Sequence, residues 1–277
     1  MRLALAQVDC VLGEEEANLA SARCTVDRAA GEGADLVVFP ELALHGYTLS
    51  QLRDDRAMHR DDPRLAALTQ SGADVLIGFH EEGGMRRYNA AGYWSPGTMP
   101  RIHRKLYLPT YLSWEERKVS SPGQALTAFD TRHGRMATLI CSDAWQLALP
   151  WLAVQDGAEV LLIPANSAVG PSSEALDVID YWYHLLPVLA RMLQCWVVFV
   201  NRVGEEHERR FWGGSTVIDP TGTVTVQAAA WEPDLVLVDV DVPVVRRLRR
   251  QLPLVGEARL GLVGREVARL IADGGDA

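Results

Sequence analysis

Cys141 ends the apolar run 136–141 and is followed at once by the more polar segment 142–145. The run predicts a buried strand, and a cysteine at its C-terminal end would lie at the edge of an α/β sheet, where ligands bind. A thiol placed there could act as a nucleophile. Most free cysteines, however, are small buried hydrophobic residues, so the local pattern leaves both interpretations open.

Two other segments supply the groups that a thiol nucleophile needs. Glu41 follows the apolar run 35–40, and Lys105 lies in the segment 103–109. Because a free thiol has a pKa of about 8.5, it needs a neighbouring base or cation to attack at neutral pH. Glu41 could take the thiol proton and return it to a leaving amine, while Lys105 could stabilise an oxyanion. Taken singly, Glu41 could instead cap a helix and Lys105 could be a solvated cation.

Strands and helices alternate along the chain. Strands are predicted over 2–8, 35–40, 75–79, 89–94, 136–141, 160–164, 196–201, 215–219, 224–228 and 235–240. Helices are predicted over 15–31, 63–71, 148–155 and 174–194. The two β-α-β halves have a similar order, which predicts a single α/β domain built as a four-layer α-β-β-α sandwich, with two packed sheets and outer helices. We expect this domain to cover 1–277, with the tail from about Pro243 packing on a partner subunit.

The composition restricts the classes of binding partner and the cellular compartment that we expect for this protein. Hydrophobic residues make up 48% of the 277 residues, which allows a sizeable core, and the net charge of −9 disfavours nucleic acid and anionic membranes as partners. No apolar run approaches the ~18 residues that span a bilayer. The four cysteines form no metal-ligand cluster. We therefore expect a cytoplasmic protein with no metal and no membrane partner.

The three segments around Glu41, Lys105 and Cys141 resemble the nitrilase, or carbon–nitrogen hydrolase, superfamily. The resemblance extends over nearly the whole chain and includes 3–7, 157–166, 200–204, 211–215, 219–222 and 239–241. It implies that the three residues form a Glu–Lys–Cys triad that needs no cofactor. It also implies a homodimer or higher homo-oligomer, because family members usually pair through two helices and the C-terminal tail.

The family also has a second glutamate after the lysine. The segment from the Leu-Pro pair at 108–109 to the Pro-Gly pair at 122–123 resembles the glutaminase domains of NAD synthetases. When the segment is aligned on these two pairs, the second glutamate falls on Glu116, and Glu115 is the competing choice. The two acids could also be an ordinary pair in the first turn of a helix. The pattern Cys-x-Asp-x-Trp over 141–145 resembles the same group, but Ser142 stands where that group normally carries glutamate. This departure leaves the substrate open.

Five further residues are candidates for substrate binding because they lie near these motifs in sequence: Tyr47, Tyr111, Ser142, Trp145 and Asn166. The alternatives are core packing for the aromatic residues and a turn cap for Asn166. The resemblance implies a hydrolase that cleaves a non-peptide C–N bond of a small amide, either amidase- or glutaminase-like or acting on an N-carbamoyl amide, through a thioester on the cysteine. Acyl or amide transfer by the same chemistry, or a non-catalytic interaction protein on the same scaffold, remain alternatives.

Overall fold

The computed structural model describes residues 1–111, 114–170 and 177–275. Within them, two six-stranded mixed sheets pack face to face, with helices on the outside, as a single α/β domain. The predicted α-β-β-α sandwich is therefore confirmed. No helix in the described ranges has both the length and the apolar character that crossing a bilayer requires.

The first sheet has the strand order β15-β1-β2-β3-β4-β5. Its strands are β1 (Arg2–Gln7), β2 (Leu36–Val38), β3 (Asp74–Gly83), β4 (Arg86–Trp94), β5 (Arg101–Arg104) and β15 (Asp234–Asp239). Strands β1, β2 and β3 are parallel, and the remaining pairings are antiparallel.

The second sheet has the order β14-β13-β10-β8-β7-β6. It contains β6 (Phe129–Thr131), β7 (Gly134–Thr138), β8 (Val160–Ala165), β10 (Trp196–Asn201), β13 (Thr216–Ile218) and β14 (Val224–Gln227). Strands β7, β8 and β10 are parallel. A small antiparallel sheet is formed by β9 (Ala168–Val169), β11 (Val203–Glu206) and β12 (Arg209–Trp212).

The period-two alternation of side chains explains the layers. In β1, Leu3 and Leu5 enter the core between the sheets, while Ala4 and Ala6 belong to the core under the first helix. Because both faces of the central strands are buried, these strands have continuous apolar sequences rather than alternating ones. The parallel strands consequently end at a protected edge, where polar side chains can be held away from bulk water.

Six α-helices flank or follow the sheets. They are α1 (Glu15–Gly31), α2 (Pro63–Ala67), α3 (Ala148–Gln155), α4 (Val178–Leu193), α5 (Val244–Gln251) and α6 (Leu260–Ala272) within the described residues. Helices α1 and α2 cover the first sheet, and α3 and α4 cover the second. Asp177 caps α4 by accepting a hydrogen bond from the Asp180 N–H.

Several predicted elements differ in extent, such as the strand predicted over 75–79, which extends over Asp74–Gly83. The helix predicted over 63–71 ends at Ala67, and residues 174–176 of the helix predicted over 174–194 lie outside the described residues. The strand predicted over 136–141 ends at Thr138, and Cys141 begins a short 3-10 helix, Cys141–Trp145. Periodicity detects a buried apolar run but cannot mark where the backbone leaves the sheet.

Two buried histidines support the loop that follows β2. His45 donates from Nε2 to the Arg56 carbonyl at 2.9 Å, and its Nδ1 accepts from the His80 backbone N–H at 3.1 Å. Burial, reinforced in part by the neighbouring His80, lowers the pKa of His45 from 6.5 to about 3. Burial likewise lowers the pKa of His80 to about 4. Both rings are therefore neutral in the folded protein near neutral pH.

These pKa shifts predict that acid destabilises the fold. As the pH falls below about 6.5, the unfolded chain takes up protons on both histidines while the folded chain does not, so stability is lost progressively down to about pH 3 to 4. Denaturant unfolding between pH 7.5 and 4.5 should show this slope. It should be shallower in the His45→Gln/His80→Gln double variant and unchanged in a variant of the exposed His184, His184→Gln. Parallel slopes for the wild type and the double variant would contradict the assignment.

Candidate active site

Glu41 lies on the tight turn that follows β2, and its side chain is buried. Its Oε1 accepts from Asn89 Nδ2 and from Lys105 Nζ, each at 2.7 Å. Its Oε2 accepts from the Asn166 backbone N–H at 2.8 Å, which joins the edge of one sheet to the edge of the other. A Cβ atom at Gly78 would overlap the backbone of this turn, so glycine permits β3 to approach it closely.

Lys105 follows β5 directly and is only 1% exposed, so it is not a solvated cation. Its Nζ donates to Glu41 Oε1 at 2.7 Å and to Glu116 Oε1 at 2.6 Å. Burial lowers the pKa of Lys105, but the carboxylates of Glu116 and Glu41 raise it by more, and the net shift is upward. The lysine is therefore a permanent ammonium held between two carboxylates.

The two adjacent glutamates have different surroundings. Glu116 is buried against Lys105 and also accepts a hydrogen bond from the Tyr47 hydroxyl at 2.6 Å. Burial raises the pKa of Glu116, although Lys105 opposes the shift. Glu115 points away and pairs with Lys118 in an exposed ion pair at 2.5 Å. Glu116 is thus the acid of the pair that contacts Lys105.

Cys141 lies three residues beyond the end of β7, and its backbone has a φ of +48°. Left-handed backbone is uncommon for a residue with a side chain and is often found at functional sites. Burial raises the pKa of the Cys141 thiol well above its ordinary value. The carboxylate of Glu41 adds to the shift and Lys105 opposes it. The resting thiol is therefore protonated, and its activation requires a base.

Asp143 holds the cysteine turn against the segment that carries Lys105. Its Oδ1 accepts from the N–H groups of Leu106 and Tyr107 at 3.0 and 2.9 Å, and its Oδ2 accepts from the N–H of Ile140 at 3.1 Å. The same Oδ2 lies 3.0 Å from His103 Nε2. Sequence reasoning did not assign Asp143 a role. Its signal in the sequence was the single charged residue of the turn 141–145.

All five candidate binding residues line one cavity next to Cys141. Tyr47, Tyr111, Ser142, Trp145 and Asn166 contribute to its wall. Glu116 lines the same cavity, whereas Glu41 and Lys105 lie behind it. Ser142 donates its hydroxyl proton to the Tyr107 carbonyl at 2.6 Å, so this side chain is already engaged.

Three residues of the cavity wall have buried polar atoms with no partner among the described residues. The atoms are Glu116 Oε2, the amide nitrogen and oxygen of Asn166, and Trp145 Nε1. Buried polar groups in proteins are almost always hydrogen-bonded. The wall next to Cys141 thus offers an acceptor on Glu116, a donor and an acceptor on Asn166 and a donor on Trp145.

A second buried network, which the sequence did not reveal, fixes Tyr47. Glu206 accepts from the N–H groups of Tyr47 and Thr48, and it also pairs with Arg202 Nη1 at 2.7 Å. Arg202 is 1% exposed and also binds the Cys10 carbonyl and Asp9. The Arg202–Glu206 pair thereby anchors the backbone of the residue whose hydroxyl holds Glu116.

Comparison with known proteins identifies this arrangement. The family model of the carbon-nitrogen hydrolases matches residues 2–250. The chain belongs to the carbon-nitrogen hydrolase family. It is accordingly a hydrolase of the nitrilase superfamily, as the resemblance in sequence predicted.

Individual relatives differ in how much of their length is matched. The chain is 32% identical over 250 residues to a glutamine-dependent NAD(+) synthetase of Thermotoga maritima, covering 87% of this chain and 42% of the relative. It is 28% identical to the mouse omega-amidase NIT2, covering 94% of this chain and 96% of the relative. The chain spans about half the length of the curated synthetases that it matches.

A solved structure supports the fold. The carbon-nitrogen hydrolase from Helicobacter pylori G27 superposes with a TM-score of 0.87 at 18% identity, covering 96% of this chain and 98% of that one. At this identity the likeness concerns the architecture alone.

The geometry predicts a sharp difference between the adjacent glutamates. Glu116→Gln should lower kcat/KM for amide hydrolysis by about 100-fold or more, because it removes a charge that contacts Lys105 and faces the cavity. Glu115→Gln, which removes the same charge one residue earlier, should stay within about twofold of the wild type. Steady-state kinetics and thermal unfolding of both variants would check this. Equal, small losses would remove both residues from the site.

Proposed function

We propose that this hydrolase cleaves the C–N bond of a small amide through a thioester on Cys141. The observation that carries the proposal is the buried ammonium of Lys105, held between Glu41 and Glu116 beside the cavity that Cys141 lines. These groups supply a nucleophile, a base and a fixed positive charge in one water-poor site.

The first half of the reaction forms the thioester. Because the Cys141 thiol is protonated at rest, Glu41 accepts its proton as the sulfur attacks the amide carbonyl carbon. Two of the three N–H donors of Lys105 are engaged with carboxylates, which leaves the third for the oxyanion, together with the backbone N–H of Ser142. Glu41 then gives the proton to the departing nitrogen, the C–N bond breaks, and ammonia or an amine leaves.

The second half regenerates the thiol. Water attacks the thioester carbonyl while Glu41 accepts one of its protons, the C–S bond breaks, and the proton returns to the sulfur as the carboxylic acid departs. The free Oε2 of Glu116 faces the cavity and can accept a hydrogen bond from the amide nitrogen or from this water. Tyr47 and Lys105 fix the other oxygen of Glu116, so its orientation is set before the substrate arrives.

Acylation of Cys141 is the direct test. Incubation with simple primary amides should give an acyl adduct that intact-protein mass spectrometry detects and peptide mapping assigns to Cys141. Cys141→Ala should abolish the adduct and lower hydrolysis by at least about 10³-fold. Cys24→Ser, which removes an exposed thiol, should change neither. Full hydrolysis by Cys141→Ala, or an adduct on Cys10, Cys24 or Cys195, would refute the mechanism.

We also propose that the chain forms a homodimer through its C-terminal tail and acts in the cytoplasm, where a thiol nucleophile stays reduced. No residue of α6 is buried, and its apolar side chains are exposed on the single chain: Leu260, Leu262, Val263, Val267, Leu270 and Ile271. A helix this apolar is normally covered by another surface.

Introducing charge on that helix should therefore separate the subunits. Val263→Glu/Leu270→Glu places two carboxylates on one exposed apolar face, whereas Arg265→Glu changes the net charge by the same two units on the opposite face. Light scattering at matched concentrations should give a dimer mass for the wild type and Arg265→Glu and a lower mass for the double variant. A monomeric wild type would exclude the proposal.

A further inference from the structure

We infer that Asn89 is a positioning residue for the base: it fixes one oxygen of Glu41 so that the other oxygen, Oε2, exchanges the proton with Cys141. The inference rests on the proposed function, because it concerns how Glu41 is held while it takes up and releases that proton. Asn89 is not among the described residues that line the cavity, so it acts through Glu41 rather than on the substrate.

Asn89 lies in β4, on the face that is turned towards the second sheet. Because side chains alternate between the faces of a strand, Asn89 shares its face with Ala91 and Tyr93, which both belong to the core between the sheets. The residue is 2% exposed. Its backbone carbonyl accepts a hydrogen bond from the Lys105 N–H at 2.8 Å, directly after β5. One residue of β4 therefore holds the base through its side chain and the cation through its backbone.

The hydrogen bonds on Glu41 are divided unevenly between its two oxygens. A carboxylate has about four lone-pair sites, two on each oxygen. Oε1 accepts from Asn89 Nδ2 and from Lys105 Nζ, each at 2.7 Å, so both of its sites are used. Among the described residues, the bonded donor to Oε2 is the Asn166 backbone N–H, at 2.8 Å. One site is left for a proton, and it is on Oε2.

The open site of Glu41 lies on the side of Cys141. Burial contributes most to the raised pKa of the Cys141 thiol, and the Asn166 N–H is one of the groups that oppose the rise. The same N–H donates to Oε2, so this oxygen and the sulfur lie around one donor. As the sulfur attacks, the S–H bond breaks and an O–H bond forms at Oε2. That proton then forms the N–H bond of the leaving group while the C–N bond breaks.

The second polar atom of the Asn89 amide shows what the side chain contributes. Asn89 Oδ1 is buried and has no hydrogen-bond partner in the part of the chain that the structure describes. Such an atom costs free energy that an apolar side chain of similar size would not. What an apolar side chain lacks is the N–H that Asn89 donates to Glu41. A hydrogen bond to the ionised form of a carboxyl group favours that form, and a base must be ionised.

Asn89→Leu removes the donor and approximately keeps the volume. At pH 7, kcat for amide hydrolysis should fall by about 10-fold or more, because a hydrogen bond to a charged group contributes a factor of about 10 to 100. KM should stay within about threefold of the wild type, since the cavity wall is unchanged. The acidic limb of the kcat/KM profile should move to higher pH by about one unit, because the ionised base has lost a donor. An unmoved limb would overturn the inference.

The profile must be assigned to Glu41, because other titratable groups surround it: Lys105, Glu116, Tyr47 and Cys141. Burial raises the pKa of Glu116, so this carboxyl group could produce a similar limb. In the Glu116→Gln background, Glu41 is the carboxylate that remains on Lys105. Asn89→Leu should move the limb there as well. A shift that disappears in this background would belong to Glu116 and would overturn the inference.

Tyr93→Phe is the matched control. Tyr93 lies on the same face of β4, and its hydroxyl donates to the buried Asp74 Oδ2 at 2.5 Å, so this variant also removes one hydrogen bond to a buried carboxylate. It should leave kcat within about twofold of the wild type and the acidic limb in place. Thermal unfolding of both variants checks that they are folded. Equal kinetic losses in the two variants would reduce the effect of Asn89 to general destabilisation.

Asn89→Asp separates the shape of the side chain from its donor. This variant keeps the shape and replaces the N–H group by an oxygen, so it should lose at least as much activity as Asn89→Leu. A wild-type rate in Asn89→Asp would mean that shape alone matters, and the inference would be wrong.

Alkylation of Cys141 distinguishes this inference from the proposed function. Iodoacetamide labelling, assigned to Cys141 by peptide mapping, reports removal of the thiol proton without any amide turnover. The pH at which labelling becomes fast should be higher in Asn89→Leu than in the wild type and unchanged in Tyr93→Phe. If this difference appears but no amide acylates Cys141, the proposed function fails and the role of Asn89 stands. If amides acylate Cys141 and Asn89→Leu matches the wild type in both assays, the function stands and the inference is wrong.

Discussion

The buried ammonium of Lys105 is the interaction on which the rest of the site depends. It neutralises one unit of charge between Glu41 and Glu116, and all three side chains are buried. Removing one partner from such an arrangement leaves an uncompensated buried charge and costs about 3–5 kcal/mol. Glu41 comes from the loop after β2, Lys105 from the end of β5 and Glu116 from a short 3-10 helix, so three distant segments are locked together by one cation.

Neighbouring groups hold this ion cluster on several sides. Asp143 accepts hydrogen bonds from the backbone N–H of Leu106, next to Lys105, and from that of Ile140, next to Cys141. Glu206 accepts a hydrogen bond from the backbone N–H of Tyr47. Glu41 reaches across to the Asn166 N–H at the edge of the other sheet. Since each support ends on a backbone amide or a buried side chain, the functional groups have little freedom to rotate. Because these groups are already oriented, little free energy is spent on reorienting them when charge develops during the reaction.

The sequence predicted the fold and the triad for identifiable reasons. Continuous apolar runs mark strands buried on both faces, and the runs before Glu41 and Cys141 predicted that these two residues lie near strand ends, where ligands bind in α/β sheets. The triad as a set, including Lys105, was what the resemblance to the carbon–nitrogen hydrolases implied. The supporting network was not predictable in this way. Glu206 lies 159 residues from Tyr47, and nothing in the local sequence distinguishes this buried glutamate from the exposed Glu205 that precedes it in the same short strand. Nor could periodicity distinguish Glu116 from Glu115, since only the folded chain shows which of them contacts Lys105.

The charge balance of the cluster determines how the thiol of Cys141 can react. Two carboxylates and one ammonium leave little capacity for a further negative charge, which is why burial and Glu41 keep the Cys141 thiol protonated at rest. Sulfur can become nucleophilic only as its proton moves to the base, so negative charge passes directly to a carbonyl oxygen that a positive group can stabilise. A thiol that stays protonated until attack is therefore a consequence of the charge balance around Lys105.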